Sequence, residues 1–298
     1  MSKSKESVAD GKRLEHWKIS NHTDAVLARA LRWKTPRHVI LDGDLFHEDV
    51  PDAWIDAALV VMSDCRHHVF QVLTKRADRM HRYFEELPQR IRDMDCHSGL
   101  DWVDLPLPNV WLGVSAERQQ EADERIPDLL ATPAAVRFVS CEPLLGPVNF
   151  ERLPHPDGQV DALLGVCSWD VCEHVPRLDW VIVSGEFGPS ARPTHPDWVR
   201  AIRDQCQAAG VPFSFGGWGE YEPTQTSPDL VPIEHRGVFV RPDGAIARGP
   251  RYSGAIFMAR VGKKRSGRLL DGRTWSEMPA TQRTEGLPEE KQIAQIRC

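Results

Sequence analysis

Short apolar runs rich in β-branched residues recur along the chain, each followed by a polar stretch and then by apolar residues at helical spacing. After Pro36-Arg37, HVILDGDLFHED reads as a strand running into an acidic loop. Pro51 then opens a helix with Ile55, Leu59 and Met62 at i, i+4 and i+7. HVFQVL ends at Thr74-Lys75-Arg76, before a helix with Met80, Phe84 and Leu87 on one face. NVWLGVS precedes a charged helix from about Ala116 to Ala131, and VRFVS leads into Cys141-Glu142-Pro143. WVIVS runs into Gly185-Glu186-Phe187-Gly188-Pro189, where glycines allow a tight turn. Pro196 suits a first helical turn, with Asp197 near the positive end of its dipole. Val199, Ile202, Cys206 and Ala209 form that helix's apolar face, Gly210 stops it, and PFSF resumes a strand.

Six strands with helical patterns in most gaps predict a parallel sheet with right-handed crossovers. The fold expected is α/β, a partial parallel (β/α) barrel rather than a closed eight-stranded one. It spans residues 32–220, after a polar N-terminal segment (1–31). An insertion at 149–177 reads as an inserted loop of low order. Residues 221–298 read as a C-terminal appendage: a small β-hairpin around Pro242-Asp243-Gly244, then a basic tail and a frayed end.

Composition changes this picture little. A length of 298 residues with 41% hydrophobic and 27% charged residues is ordinary for a globular protein. A net charge of −6 argues against a protein that coats nucleic acid globally, and leaves room for a local basic patch. No run approaches the apolar length of a membrane span, and the opening MSKSKESVADGKRLEHWK lacks the apolar core of a signal peptide. Seven irregularly spaced cysteines fit free thiols in a reducing compartment, so a cytoplasmic location is expected.

Polar residues collect where each strand ends: Asp42, Asp44, His47 and Glu48; Thr74, Lys75 and Arg76; Ser115 and Glu117; Glu142; Ser184 and Glu186; Trp218 and Glu220. In parallel barrels this edge builds ligand pockets, because loops from several strands converge there. Helix N-capping is the plain alternative for Asp42, Ser115 or Ser184 taken singly, and ion pairs closing the barrel top are the alternative for the charged set. His47-Glu48-Asp49 lacks a partner motif for a metal, and Cys167 and Cys172 lack the second thiol pair a zinc site needs. The common phosphate-loop, hydrolase-elbow and dinucleotide signatures do not occur. Between Arg260 and Arg273, the residues Lys263, Lys264, Arg265 and Arg268 form a cluster that either meets phosphate or sits in solvent.

Several of these stretches together resemble one family: PRHVILDGDLFHEDVPDAWIDAALVVM, HHVFQVLTKRADRM, LPNVWLGVSAERQ, VRFVSCEPLLGP, the span from Trp180 to Glu220, and GRLLDGRTWSEMP. They look like a phage and bacterial family of uncharacterised proteins with a three-cysteine motif, which is radical-SAM-like. The resemblance implies a barrel that holds a 4Fe-4S cluster and S-adenosylmethionine, and activity on nucleic acid or nucleotides. The chain departs from the pattern in having no cysteine before Cys65, so no cofactor is expected for this chain alone. Three readings stay open. One is an enzyme whose cysteine-bearing part lies elsewhere; another is a degenerate, non-catalytic barrel binding a ligand or partner; the third is a metal-dependent hydrolase using the acidic strand ends. Nucleic acid and a partner protein are both open as partners, and no membrane is expected.

Overall fold

The six anticipated strands do lie side by side and parallel. In the computed structural model, which describes residues 27, 29–93, 105–156, 158–168, 175–224, 237–247, 253–279 and 293–297, they are β1 (His38–Asp42), β2 (Val69–Thr74), β3 (Val110–Ser115), β4 (Val136–Cys141), β8 (Trp180–Ser184) and β9 (Phe213–Gly217). They form a curled half-barrel in that order, a partial α/β barrel. The helices are α1 (Asp52–Asp64), α2 (Ala77–Asp93), α3 (Gln119–Ala131) and α4 (Pro196–Ala209). Each begins after a strand and returns the chain to the start of the next, as a parallel connection requires. Helix α3 starts three residues later than its pattern suggests, because the chain bends through Glu117 and Arg118, and Arg118 caps the helix in an extended conformation. Gly210 ends α4 in the left-handed conformation at φ 67°, while His195 caps its start by accepting the Asp197 amide on Nδ1 at 3.1 Å.

Alternation along the strands sends successive side chains to opposite faces. One set, including Val39, Phe70, Leu112, Val139, Val181 and Phe213, packs under Ile55, Met80, Ile126 and Ile202 of the helices in the main core. The other set lines the inner face, where Val69, Trp111, Val136, Phe138 and Trp180 make a separate small core. Registers place Trp111 beside Val136, Gly113 beside Phe138 and Phe138 beside Trp180, so aromatic rings close the lower part of the half-barrel. Phe138 lies across Gly113: a Cβ at Gly113 would come within 2.4 Å of its ring.

Several expectations for the rest of the chain need correcting. The insertion is ordered where described: β5 (Leu153–His155), β6 (Gly158–Asp161) and β7 (Val166–Cys167) form an antiparallel sheet beside α3, burying Phe150, Leu153 and Val160. Of its prolines, Pro154 lies within β5 and Pro156 in the turn that follows it. The expected hairpin exists as β11 (Gly237–Val240) and β12 (Ile246–Ala247). It is half of a four-stranded antiparallel sheet completed by β10 (Tyr221–Pro223) and β13 (Ile256–Arg260). Nor is the end frayed: β14 (Ile293–Arg297) adds a parallel strand outside β1. Residues 266–278 run along the free edge of β9. There the Phe215 amide donates to the Trp275 carbonyl at 2.9 Å and the Glu277 amide donates to the Phe213 carbonyl at 3.2 Å. Unpaired strand edges demand such partners, and a strand-period reading of single segments does not reveal who supplies them. Of the N-terminal segment 1–31, Leu27 and Ala30 are buried in the main core. Among the described residues no helix is long and apolar enough to cross a membrane.

Candidate functional site

The polar strand ends converge at one mouth, but most of them are already occupied with each other. Asp44 accepts from the Thr74 hydroxyl at 2.5 Å, the Lys75 amide at 3.1 Å and the Arg76 guanidinium at 2.9 Å. This ties the loop after β1 to the end of β2. Glu48 is approached by Arg76 at 3.8 Å and by His47 at 4.0 Å, and His47 faces Asp49 at 3.4 Å on the surface. Lys75 pairs with Glu117, whose other oxygen takes Arg125 at 3.2 Å; Arg125 also donates to the Ser115 carbonyl at 2.7 Å. Burial raises the Glu117 pKa, but the Lys75 hydrogen bond and the two cations outweigh it and hold the carboxyl below the ordinary value. Glu186 takes Arg192 on both oxygens at 2.8 Å, closing the loop after β8 on itself.

Trp218 and Glu220 are structural. Trp218 is buried against Phe215 and donates its indole N–H to the Leu269 carbonyl at 3.0 Å. Glu220 accepts the Gly188 amide at 3.1 Å. Ser184 is buried and bonds the neighbouring Gly185 carbonyl, and Ser115 is buried as well. Asp42 ends β1; its side chain lies outside the described residues.

Glu142 differs from the other acids. Alternation along VRFVSCE puts Phe138, Ser140 and Glu142 on the inner face, above the aromatic floor. Backbone bonds from Leu144 to Ser184 at 2.9 Å and from Leu145 to Glu117 at 2.8 Å pin the loop that carries it, after a cis Glu142–Pro143 peptide. Among the described residues it makes no ion pair, and its hydrogen-bond partner is the Ser140 hydroxyl at 2.8 Å. The side chain is open to solvent through the mouth, yet protein surrounds it closely enough that burial raises its pKa, with the Ser140 bond opposing. A Cβ on Gly216 of β9 would sit 3.5 Å from Glu142 Oε1 and 3.4 Å from the Ser184 hydroxyl. The bare backbone there keeps the space over the carboxyl open. Ser140, Gly216, Phe138 and Trp180 did not stand out in the chain, although the two-residue period from Glu142 backwards points to the first and third of them.

Thiols and metal ligands are placed elsewhere. Cys65 ends α1, and Cys141 and Cys206 face each other's element in the main core. Burial pushes Cys65 up to about 11 and Cys206 up to about 12, disfavouring the thiolates a cluster needs. Cys167 lies in the small insertion sheet, and Cys172 is outside the described residues. Among the described residues no group of three or more His, Cys, Asp or Glu side chains could hold a metal ion, His47, Glu48 and Asp49 included. These residues do not fit a 4Fe-4S cluster. A separate hollow of about 560 Å3 opens between Arg118, Gly146, Arg192, Trp198 and Gly244. Arg192 is engaged by Glu186 and Arg118 reaches Glu121 at 3.5 Å, so it offers a charged ligand less than the mouth does.

A family model described as a protein of unknown function (DUF5131) matches residues 1–279. No curated protein and no solved structure matches the chain.

Proposed function

Since the chain belongs to this family of unknown function, DUF5131, we propose a role from the site itself: a half-barrel that binds a small molecule over Glu142. The ligand presents an N–H donor, an ammonium or an amine, to the carboxyl. The observation that carries this reading is the contrast among the acids at the mouth. Asp44, Glu117 and Glu186 are each matched by a cation, whereas among the described residues Glu142 is left with Ser140 alone in an open concavity. A carboxyl kept costly in the free protein and satisfied by a bound donor is a common design for recognition. Its raised pKa also suits a proton acceptor or donor, so catalysis at this carboxyl is compatible with the reading.

The radical-SAM-like resemblance bears on the choice of ligand. S-adenosylmethionine carries an ammonium and an adenine amine, both donors of the required kind, and it heads the panel to test. The buried thiols do not fit an iron–sulfur cluster, so the molecule would meet S-adenosylmethionine as a bound ligand at the mouth. Thermal melts of the parent, Glu142→Gln and Glu186→Gln with S-adenosylmethionine, adenosine and nucleoside monophosphates test the proposal. A binding ligand at a hundred times its Kd should stabilise the parent by about 2.7 kcal/mol. The shift should vanish in Glu142→Gln and persist in Glu186→Gln. A shift retained by Glu142→Gln, or a parent that no member of the panel moves, would refute it.

A further inference from the structure

The basic cluster does not hang from the end of the chain. Residues 261–270 fold back against the end of β9, beside the mouth. The Trp218 amide donates to the Gly267 carbonyl at 3.2 Å, the Ser266 hydroxyl to the Gly219 carbonyl at 2.6 Å, and the Gly262 amide to the Glu220 carbonyl at 3.0 Å. Ser266 and Leu270 are the buried anchors of this turn, and Lys263, Lys264 and Arg265 before Ser266 and Arg268 after it are exposed. Gly217 turns its free side toward Arg268, whose Cβ would lie 3.6 Å from a Cβ there; its neighbour Gly216 faces Glu142. The turn that carries the cations thus packs against the end of β9, next in sequence to the glycine that faces Glu142. Phe187, from the loop after β8, is 45% exposed on the same rim, with the Lys263 ammonium 4.5 Å from its ring centre.

Four exposed cations on one hydrogen-bonded turn, in a chain of net charge −6, concentrate positive potential at a single place. None of the four makes an ion pair among the described residues, so they are available to an external polyanion. An exposed aromatic between such cations is what stacking of unpaired bases uses, while the cations follow the phosphates. We propose that this rim docks a single-stranded nucleic acid, with Lys263, Lys264, Arg265 and Arg268 on the phosphates and Phe187 under a base. The strand would pass the mouth so that a neighbouring base can reach Glu142. That last element rests on the proposed reading of the concavity.

Fluorescence anisotropy of a labelled oligothymidine of about ten nucleotides, titrated with the full chain at several salt concentrations, tests this. For four cations on a single strand, the log–log salt slope should be about −3. The combined variant Lys263→Gln, Lys264→Gln, Arg265→Gln, Arg268→Gln should bind at least tenfold more weakly with a nearly flat slope. Phe187→Ala should weaken binding several-fold without changing the slope. A matching RNA strand decides whether the sugar matters and supports the proposal whether it binds as well as the DNA or better. Absence of binding by the parent at low salt, a four-site variant that binds like the parent, or a duplex binding as tightly as the single strand would overturn it. Failure of the concavity reading is distinguishable: Glu142→Gln would then bind every oligonucleotide like the parent, with the same preference among bases, while the four-site variant still loses binding.

Discussion

Glu142 and Glu117 sit a strand apart at the same mouth, and their surroundings push them in opposite directions. Glu117 is held below the ordinary carboxylate value, so the stability it adds is present above the unfolded value and is lost as pH falls through the lowered one. Glu117→Gln strands the partly buried Arg125. It should cost about 2–3 kcal/mol in urea unfolding at neutral pH, less than a fully buried pair because Lys75 is half in water. Glu142 is raised, so the folded state favours its neutral form: its favourable contribution is complete below the unfolded value and is lost as pH rises through the raised one. Glu142→Gln should therefore melt above the parent at neutral pH, and the gap should close in acid, below the ordinary glutamate value. A variant that melts far below the parent at neutral pH would mean that Glu142 holds a partner in the folded chain. Glu186→Gln loses a rim ion pair with an exposed Arg192 and should cost only about 0.5–1 kcal/mol.

At the scale of elements, β9 is the edge on which the site depends. It supplies Gly216 to the concavity, and its outer side is held by residues 266–278. Trp275 is the anchor of that strap. Its ring meets Phe213 at 5.7 Å, and the guanidinium groups of Arg203 and Arg273 stand 5.4 and 3.5 Å from its centre. Trp275→Ala should cost about 3–5 kcal/mol in denaturant unfolding and raise hydrogen exchange at the Phe215 amide, which donates to the Trp275 carbonyl. A loss below about 1 kcal/mol would show that the strap does not secure β9. On the inner face, Gly113→Ala drives a methyl into the Phe138 ring. It should cost about 1–3 kcal/mol by overpacking and disturb ligand binding above it.

For the whole molecule, charge is distributed rather than merely summed. A net −6 coexists with a rim of exposed lysines and arginines beside an open acid. On the proposed docking, such separation would direct an anionic strand toward one edge and away from the rest of the surface. The four rim cations contribute almost nothing to folding, being exposed and unpaired among the described residues. The four-site glutamine variant should accordingly melt close to the parent, each change staying within about 0.5 kcal/mol. A large drop in its melting temperature would mean that the turn is held by its charges and not by Ser266, Leu270 and the backbone bonds to β9.

Local pattern determined the parallel half-barrel. Runs such as HVIL, VWLGV and WVIV are apolar on both faces, and the helices between them carry their faces at Ile55, Met80 and Ile202, so sheet, helices and crossovers were legible from spacing alone. The same pattern placed Asp44, Lys75, Glu117, Glu142 and Glu186 at one end of the sheet, because the C-terminal end of a parallel strand is set by chain direction. Only tertiary structure decided which charges neutralise each other, since Lys75 meets Glu117 across 42 residues and Arg125 then completes the match. It also decided that Glu142 meets no cation among the described residues and that the basic turn packs against the end of β9. Those outcomes depend on contacts between segments far apart in the chain, whose energies come from burial and edge pairing rather than from local period. The strap on β9 and β14 beside β1 arise in the same way: a sheet edge accepts whichever segment reaches it.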